Sequence, residues 1–141
     1  MREALVILPG FDNDGRDMKH VGDNLANALA AVFGGCTVTW GYGYDPTQPK
    51  GEPVALYTVA YDPVDPTNDG RLAQIALEHW RWAGQLFGYI RFADGTVRIV
   101  DIEEAKRTGR IPLPGVRVAA VPGFDYRTDD EAFIHNPNAK E

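Results

Sequence analysis

From Cys36 to Tyr44 the chain alternates Cys36, Val38, Trp40, Tyr42 and Tyr44 with Thr37, Thr39, Gly41 and Gly43. A period of two puts the large side chains on one side of an extended strand and the small ones on the other, which no helix can do. A second run, VALYTVAY from Val54 to Tyr61, has the same character, and the two read as a β-hairpin. Their connection, Asp45 to Pro53, is rich in proline and poor in apolar residues, so an exposed loop is expected there.

The flanking segments supply helices and further strands. Ala4 to Leu8 is apolar at every position, the pattern of a strand buried on both faces in the middle of a sheet. Pro9 and Gly10 end it, and a helix is expected from Asp17 to Phe33, capped by Asp14 or Asp17. Met18, Val21, Leu25, Ala28, Leu29 and Val32 form its stripe, Asp23, Asn24 and Asn27 its polar side, and Gly34-Gly35 its stop. A second helix is expected from about Gly70 to Phe87, with Leu72, Ile75, Ala76, His79, Ala83 and Leu86 inward and Gly88 ending it.

Asp94-Gly95, between two apolar runs, predicts a two-residue hairpin turn. That register would set Phe92 against Val97, Ile90 against Ile99 and Arg91 against Arg98. A short helical turn follows at Ile102 to Arg107. Ile111 to Gly115 reads as extended linker, Val116 to Val121 as a short strand, and Thr128 to Glu141 as a polar tail.

Strand, helix, hairpin, helix, strand in this order resembles the ferredoxin-like βαββαβ sandwich over Ala4 to Val100, with the Asp-Gly hairpin and a C-terminal extension added. Residues 1–102 are read as the α+β domain and 103–141 as the extension. The resemblance implies sheet order 4-1-3-2, the first strand inside, and both helices on one face. The segment Gly35 to Gly43, G-x-T-V-x-x-G-x-G, is also similar to one found in small uncharacterised bacterial and phage proteins. No activity transfers with either likeness.

Twenty acidic residues against fourteen basic ones give a net charge of −6, the wrong sign for sequence-independent nucleic-acid binding. One cysteine, Cys36, excludes an intrachain disulfide and suits a reducing cytoplasm. No run approaches the ~18 apolar residues of a membrane span. A cytoplasmic protein that touches neither membrane nor nucleic acid is expected.

Several side chains are candidates for chemistry. Asp12 to Asp17 superficially matches the centre of a calcium loop, but with Gly15 in the sixth place the twelfth is Val21, so the bidentate carboxylate is missing and helix capping explains the aspartates. His79 would be a general base beside a cavity, or a packed core histidine, the more frequent case. His20 and His135 have no metal-ligand spacing with it, and no metal or cofactor is expected. The Pro-Gly-Phe-Asp tetrapeptide at 9 to 12 and 122 to 125 is explained by two similar strand exits. Trp40, Tyr42 and Tyr57 with Arg91 and Arg98 would hold a flat anionic ligand by stacking and charge-assisted hydrogen bonds, if one cleft collects them.

The hairpin strands place large apolar groups on both faces, so the side away from the helices is expected to meet either the segment around Val116 to Phe124 or a second subunit. These readings favour a non-catalytic homo-oligomeric binding or regulatory protein, contacting a partner protein or small anionic ligand through its sheet face. The alternatives are an enzyme of the dimeric α+β-barrel type, an oxygenase or isomerase with a cavity between sheet and helices and His79, Tyr42 or Tyr57 in it, and a structural assembly subunit.

Overall fold

The computed structural model describes residues 1–10, 17–115 and 118–120. The calcium-like residues Asp12 to Arg16, the Asp14 cap, the second Pro-Gly-Phe-Asp, His135 and the polar tail lie outside them. The order is β1 (Arg2–Pro9), α1 (Lys19–Phe33), β2 (Thr37–Asp45), β3 (Gln48–Tyr61), α2 (Pro66–Trp82), β4 (Phe87–Arg91), β5 (Val97–Asp101), α3 (Ile102–Thr108), β6 (Arg110–Pro112) and β7 (Val118–Ala120). The main sheet is antiparallel in the order β2-β3-β1-β4-β5. This is the ferredoxin-like α+β arrangement with β5 added outside β4. β1 lies inside, as its unbroken apolar run requires.

One face of the sheet shares a core with the helices. Ala4, Val6 and Leu8 of β1, Ala55, Tyr57, Val59 and Tyr61 of β3, and Ile90 of β4 pack with Val21, Leu25 and Leu29 of α1 and Leu72, Ala73, Ala76, Leu77 and Trp80 of α2. The helix stripes recur at three and four residues, so each buries one side. α1 stops at Gly34, whose φ of 87° is open to glycine at little cost.

Four expectations are corrected. The Asp45 to Pro53 connection is not a loop: β3 begins at Gln48 and pairs with Asp45, leaving a two-residue turn and a register shift between Gly43 and Asp45 that absorbs the prolines. α2 starts at Pro66 because Asp65 caps it, accepting from Thr67 N at 3.0 Å, and proline is favoured in the first turn. It ends before Gly84, so Gly88 belongs to β4.

The third correction concerns the β4–β5 hairpin. Gly95 N donates to Phe92 O at 2.9 Å and Phe92 N to Thr96 O at 2.8 Å, while Gly95 has φ of 94°. That is a three-residue loop, a turn followed by a left-handed glycine. One extra residue slips the register: Arg91 opposes Val97, Ile90 opposes Arg98, and Tyr89 opposes Ile99. Arg91 and Arg98 therefore point to opposite faces of the sheet.

Fourth, the segment after α3 is packed rather than a free linker, with Ile111 and Leu113 buried. Arg98 Nη2 donates to the carbonyls of Leu113 and Gly115, both at 3.2 Å. β7 pairs with β6 and lies near α2, on the helix side, so this part of the chain does not cover the reverse face. There Val97 and Ile99 are exposed, Ile99 by 62%.

At the end of β3 the Tyr61 hydroxyl donates to the buried Asp69 carboxylate at 2.7 Å and accepts from Ala93 N at 3.3 Å, tying β3, α2 and the β4–β5 loop together. Tyr61→Phe removes a hydrogen bond to a buried charged group and is expected to cost about 2 kcal/mol, read as a lower urea midpoint with unchanged slope. A midpoint equal to the parent's would show the contact contributes nothing.

Candidate functional site

The site forms where β1 hands over to α1. Gly10 N donates to Pro53 O at 2.9 Å and Met18 N donates to Gly10 O at 3.0 Å, which draws the first turn of α1 against the β2–β3 hairpin. Between them lies a cleft of about 660 Å³. Leu8, Pro9 and Tyr57 form its floor. Met18, Gly22 and Ala26 line the α1 wall, and Val38, Trp40 and Pro53 the hairpin wall. Asp17, Lys19 and Asp23 sit at its rim. The lining is mostly apolar with a few polar groups, the usual character of a small-molecule site.

The alternation in β2 explains the hairpin wall. Val38 opposes Tyr57 and Trp40 opposes Ala55, so Trp40 projects from the helix-covered face. β2 is the edge strand, beyond the reach of α1, which leaves Trp40 67% exposed over the cleft instead of in the core. Gly10 lets the strand exit pass close beneath: a Cβ there would meet Trp40 Cζ3 and Pro53 at 3.4 Å.

At the rim, Lys19 Nζ lies 2.8 Å from Asp23 Oδ2, and this hydrogen bond and the charge of Asp23 raise the lysine pKa. Asp17 Oδ1 accepts from Lys19 N at 2.8 Å, tying the start of α1. Among the described residues, two carboxylates and one ammonium leave the rim with a net negative charge. On the floor, burial, with the negative ends of Cys36 and Asp23 nearby, pushes the Tyr57 phenol up to about 12, so it remains a neutral hydroxyl at ordinary pH. Burial likewise raises the Cys36 thiol, which favours an inert thiol over a nucleophile.

The same tyrosines give the fold an alkaline limit. Tyr57 is pushed up to about 12 and Tyr61 is raised too, by burial and by the Asp69 contact. A phenol whose folded pKa lies above its unfolded value near ~10 contributes fully below that pH and loses its contribution as pH rises through the folded value. Stability is therefore expected to hold up to about pH 10 and to fall between there and about 12. Urea midpoints across that range test it, and a flat profile would contradict it.

Of the residues singled out from the sequence, Trp40 and Tyr57 meet in this cleft. Tyr42 lies on the same face of β2, 67% exposed, outside the lining. Arg91 and Arg98 belong to β4 and β5, while the aromatic strand β2 is at the other edge of the sheet. Arg91 also points to the face opposite Trp40 and Tyr57, and neither arginine lines the cleft. The shared cleft of aromatics and arginines is thus corrected. His79 is in the helix interface: Nδ1 lies 2.8 Å from Ile75 O and Nε2 2.7 Å from Asn24 Oδ1, so it is the packed histidine and not a cavity base. Met18, on the expected α1 stripe, is buried in the core and also lines the cleft, whereas Asp17, Asp23 and Pro53 carry no sequence signal for a site. The visible clue was Gly22, a glycine inside a strong helical pattern.

Among the described residues no group of three His, Cys, Asp or Glu is placed to hold a metal ion. Nor, among them, is any helix long and apolar enough to cross a membrane.

The fold is a ferredoxin-like α+β arrangement with an apolar cleft between its first helix and its edge hairpin. No family model and no curated protein matches the sequence. Among solved structures the chain is similar to a phage SAM lyase in the apo state, with a TM-score of 0.53 and 13% identity over 70% of this chain and 87% of that one. A phage SAM lyase in complex with S-methyl-5′-thioadenosine aligns with a TM-score of 0.47 and 13% identity, over 70% and 88% of the two chains. The expectation of a non-catalytic binding protein is overturned by the first likeness, because the protein that shares this fold is an enzyme.

Proposed function

We propose that the chain is an enzyme that binds S-adenosylmethionine in the cleft between α1 and the β2–β3 hairpin and cleaves it as a lyase. The observation that carries this reading is the pairing of aromatic walls, Trp40 and Tyr57, with a negatively charged rim, Asp17 and Asp23, in one apolar cleft. The fold shared with a phage SAM lyase supports it. A purine needs a flat apolar partner, and a sulfonium needs π faces or carboxylates, since both attract a diffuse cation.

The lining also suits the bond cleavage. As the bond between sulfur and Cγ of the amino-acid arm breaks, its electron pair stays on sulfur while the substrate's own carboxylate oxygen forms the new bond to Cγ, so a lactone and neutral S-methyl-5′-thioadenosine leave and the sulfonium charge disappears. Apolar walls such as Leu8, Met18 and Tyr57 solvate the charged reactant less well than the neutral sulfur that forms, which favours the step. The half-buried free thiol of Cys36 suits a cytoplasmic setting. Exposed apolar groups on the reverse face and on the β2 edge support a homo-oligomer.

Calorimetric titration with S-adenosylmethionine and chromatographic assay for S-methyl-5′-thioadenosine test the proposal. Saturable binding together with product formation is expected. Neither binding nor product at millimolar substrate would refute it.

A further inference from the structure

Gly22 lies in the interior of α1, where alanine would be more favourable, and Tyr57, only 3% exposed, carries a hydroxyl that opens on the cleft, where phenylalanine would bring no polar atom. The two oddities meet. A Cβ on Gly22 would lie 2.4 Å from the Tyr57 hydroxyl oxygen, but 3.6 Å from Cζ and 3.8 Å from Leu8 Cδ2, ordinary contact distances. Only the hydroxyl requires the glycine. An alanine and phenylalanine pair would fill the same space with a better helix and one polar group fewer.

What the hydroxyl does for the fold does not account for this. None of the described residues hydrogen-bonds to it, whereas the similarly buried Tyr61 hydroxyl has both a donor and an acceptor. Tyr57 and Gly22 both line the cleft. Where a sequence gives up local stability in two residues at once, inside a pocket, the cause is sought in the ligand.

We propose that the Tyr57 hydroxyl donates a hydrogen bond to the ligand in this cleft and that Gly22 is the positioning residue that makes room for it. The inference rests on the S-adenosylmethionine reading and deepens it: the phenol reads an acceptor atom of the substrate, a purine nitrogen or a carboxylate oxygen. A neutral hydroxyl presented from an apolar floor discriminates strongly against a ligand lacking that acceptor, since the polar group would then be left unpaired.

Three variants test it, Tyr57→Phe, Gly22→Ala and the double substitution, each measured for urea stability, calorimetric affinity for S-adenosylmethionine and tyrosinate absorbance during alkaline titration. Tyr57→Phe and the double variant are expected to be at least as stable as the parent, yet to bind at least tenfold more weakly. Gly22→Ala is expected to displace the phenol, weaken binding to a similar degree and move to lower pH the titration step that Tyr57→Phe removes. Adding Tyr57→Phe should restore its stability but not its affinity, a split that a structural role would not produce. Parent-like affinity in Tyr57→Phe overturns the inference and leaves the proposed function standing. A parent that neither binds nor cleaves S-adenosylmethionine removes both.

Discussion

Gly88→Ala is expected to destabilise the protein by about 3 kcal/mol or more, among the largest effects a single added methyl group can have. The indole of Trp80, fully buried, lies flat on the Gly88 backbone, and a Cβ there would fall 2.3 Å from Cδ2 and Cε2. A ring atom in a closed core cannot swing away as the end of an exposed side chain does. The indole is also held by its own hydrogen bond, Nε1 donating to Ile7 O at 2.9 Å. The β1–β4 ladder covers only Leu5 with Arg91 and Val6 with Ile90, and the Ile7 carbonyl just past its end is taken by the tryptophan. Moving the ring would break that bond and open the seam between β1 and β4. Urea denaturation reads the loss as a lower midpoint, and a change under ~0.5 kcal/mol would show that the core gives way more easily than its packing implies.

Trp40→Ala is expected to act in the opposite way, with stability nearly unchanged and ligand binding largely lost. The indole is 67% exposed, so removing it takes little from the core. Stacking a base on an aromatic ring contributes about 1 to 3 kcal/mol, so affinity for S-adenosylmethionine should fall roughly 5- to 150-fold. Titration calorimetry on parent and variant measures this. Parent-like affinity would place the nucleoside elsewhere, and Trp40→Phe, which keeps a smaller π face, should lie between the two. A matching drop in thermal stability would instead mean that the indole is structural.

Local patterning determined much of the architecture. The apolar run at Ala4 to Leu8 has only one comfortable place, between two strands, and β1 lies between β3 and β4. Gly34 ends α1, and Gly109, with φ of 70°, ends α3, because few other residues accept that conformation. Alternation in β2 and in β3, joined by the Val38–Tyr57 register, put Trp40 and Tyr57 on one face, and both line the cleft.

What failed depended on one residue more or less, or on distance across the sheet. Asp94-Gly95 is a turn signal in either hairpin, but a three-residue loop reverses the facing of one strand against its partner, and the sequence is compatible with both. The arginines and aromatics were separated by strand order and, for Arg91, by the face of the sheet. Trp80, outside the inward stripe named for the second helix, is fully buried because Gly88 of β4 offers it a bare backbone.

The chain's own pattern therefore decided the two long helices, the apolar strands and which strand is central, since period, caps and glycine stops act over a few neighbouring residues. Only the tertiary structure decided where the cleft lies and which side chains share it. Gly22 beneath Tyr57 and Gly88 beneath Trp80 are contacts between residues 35 and 8 positions apart in sequence, through space that only packing of helix on sheet creates. No local pattern carries that information.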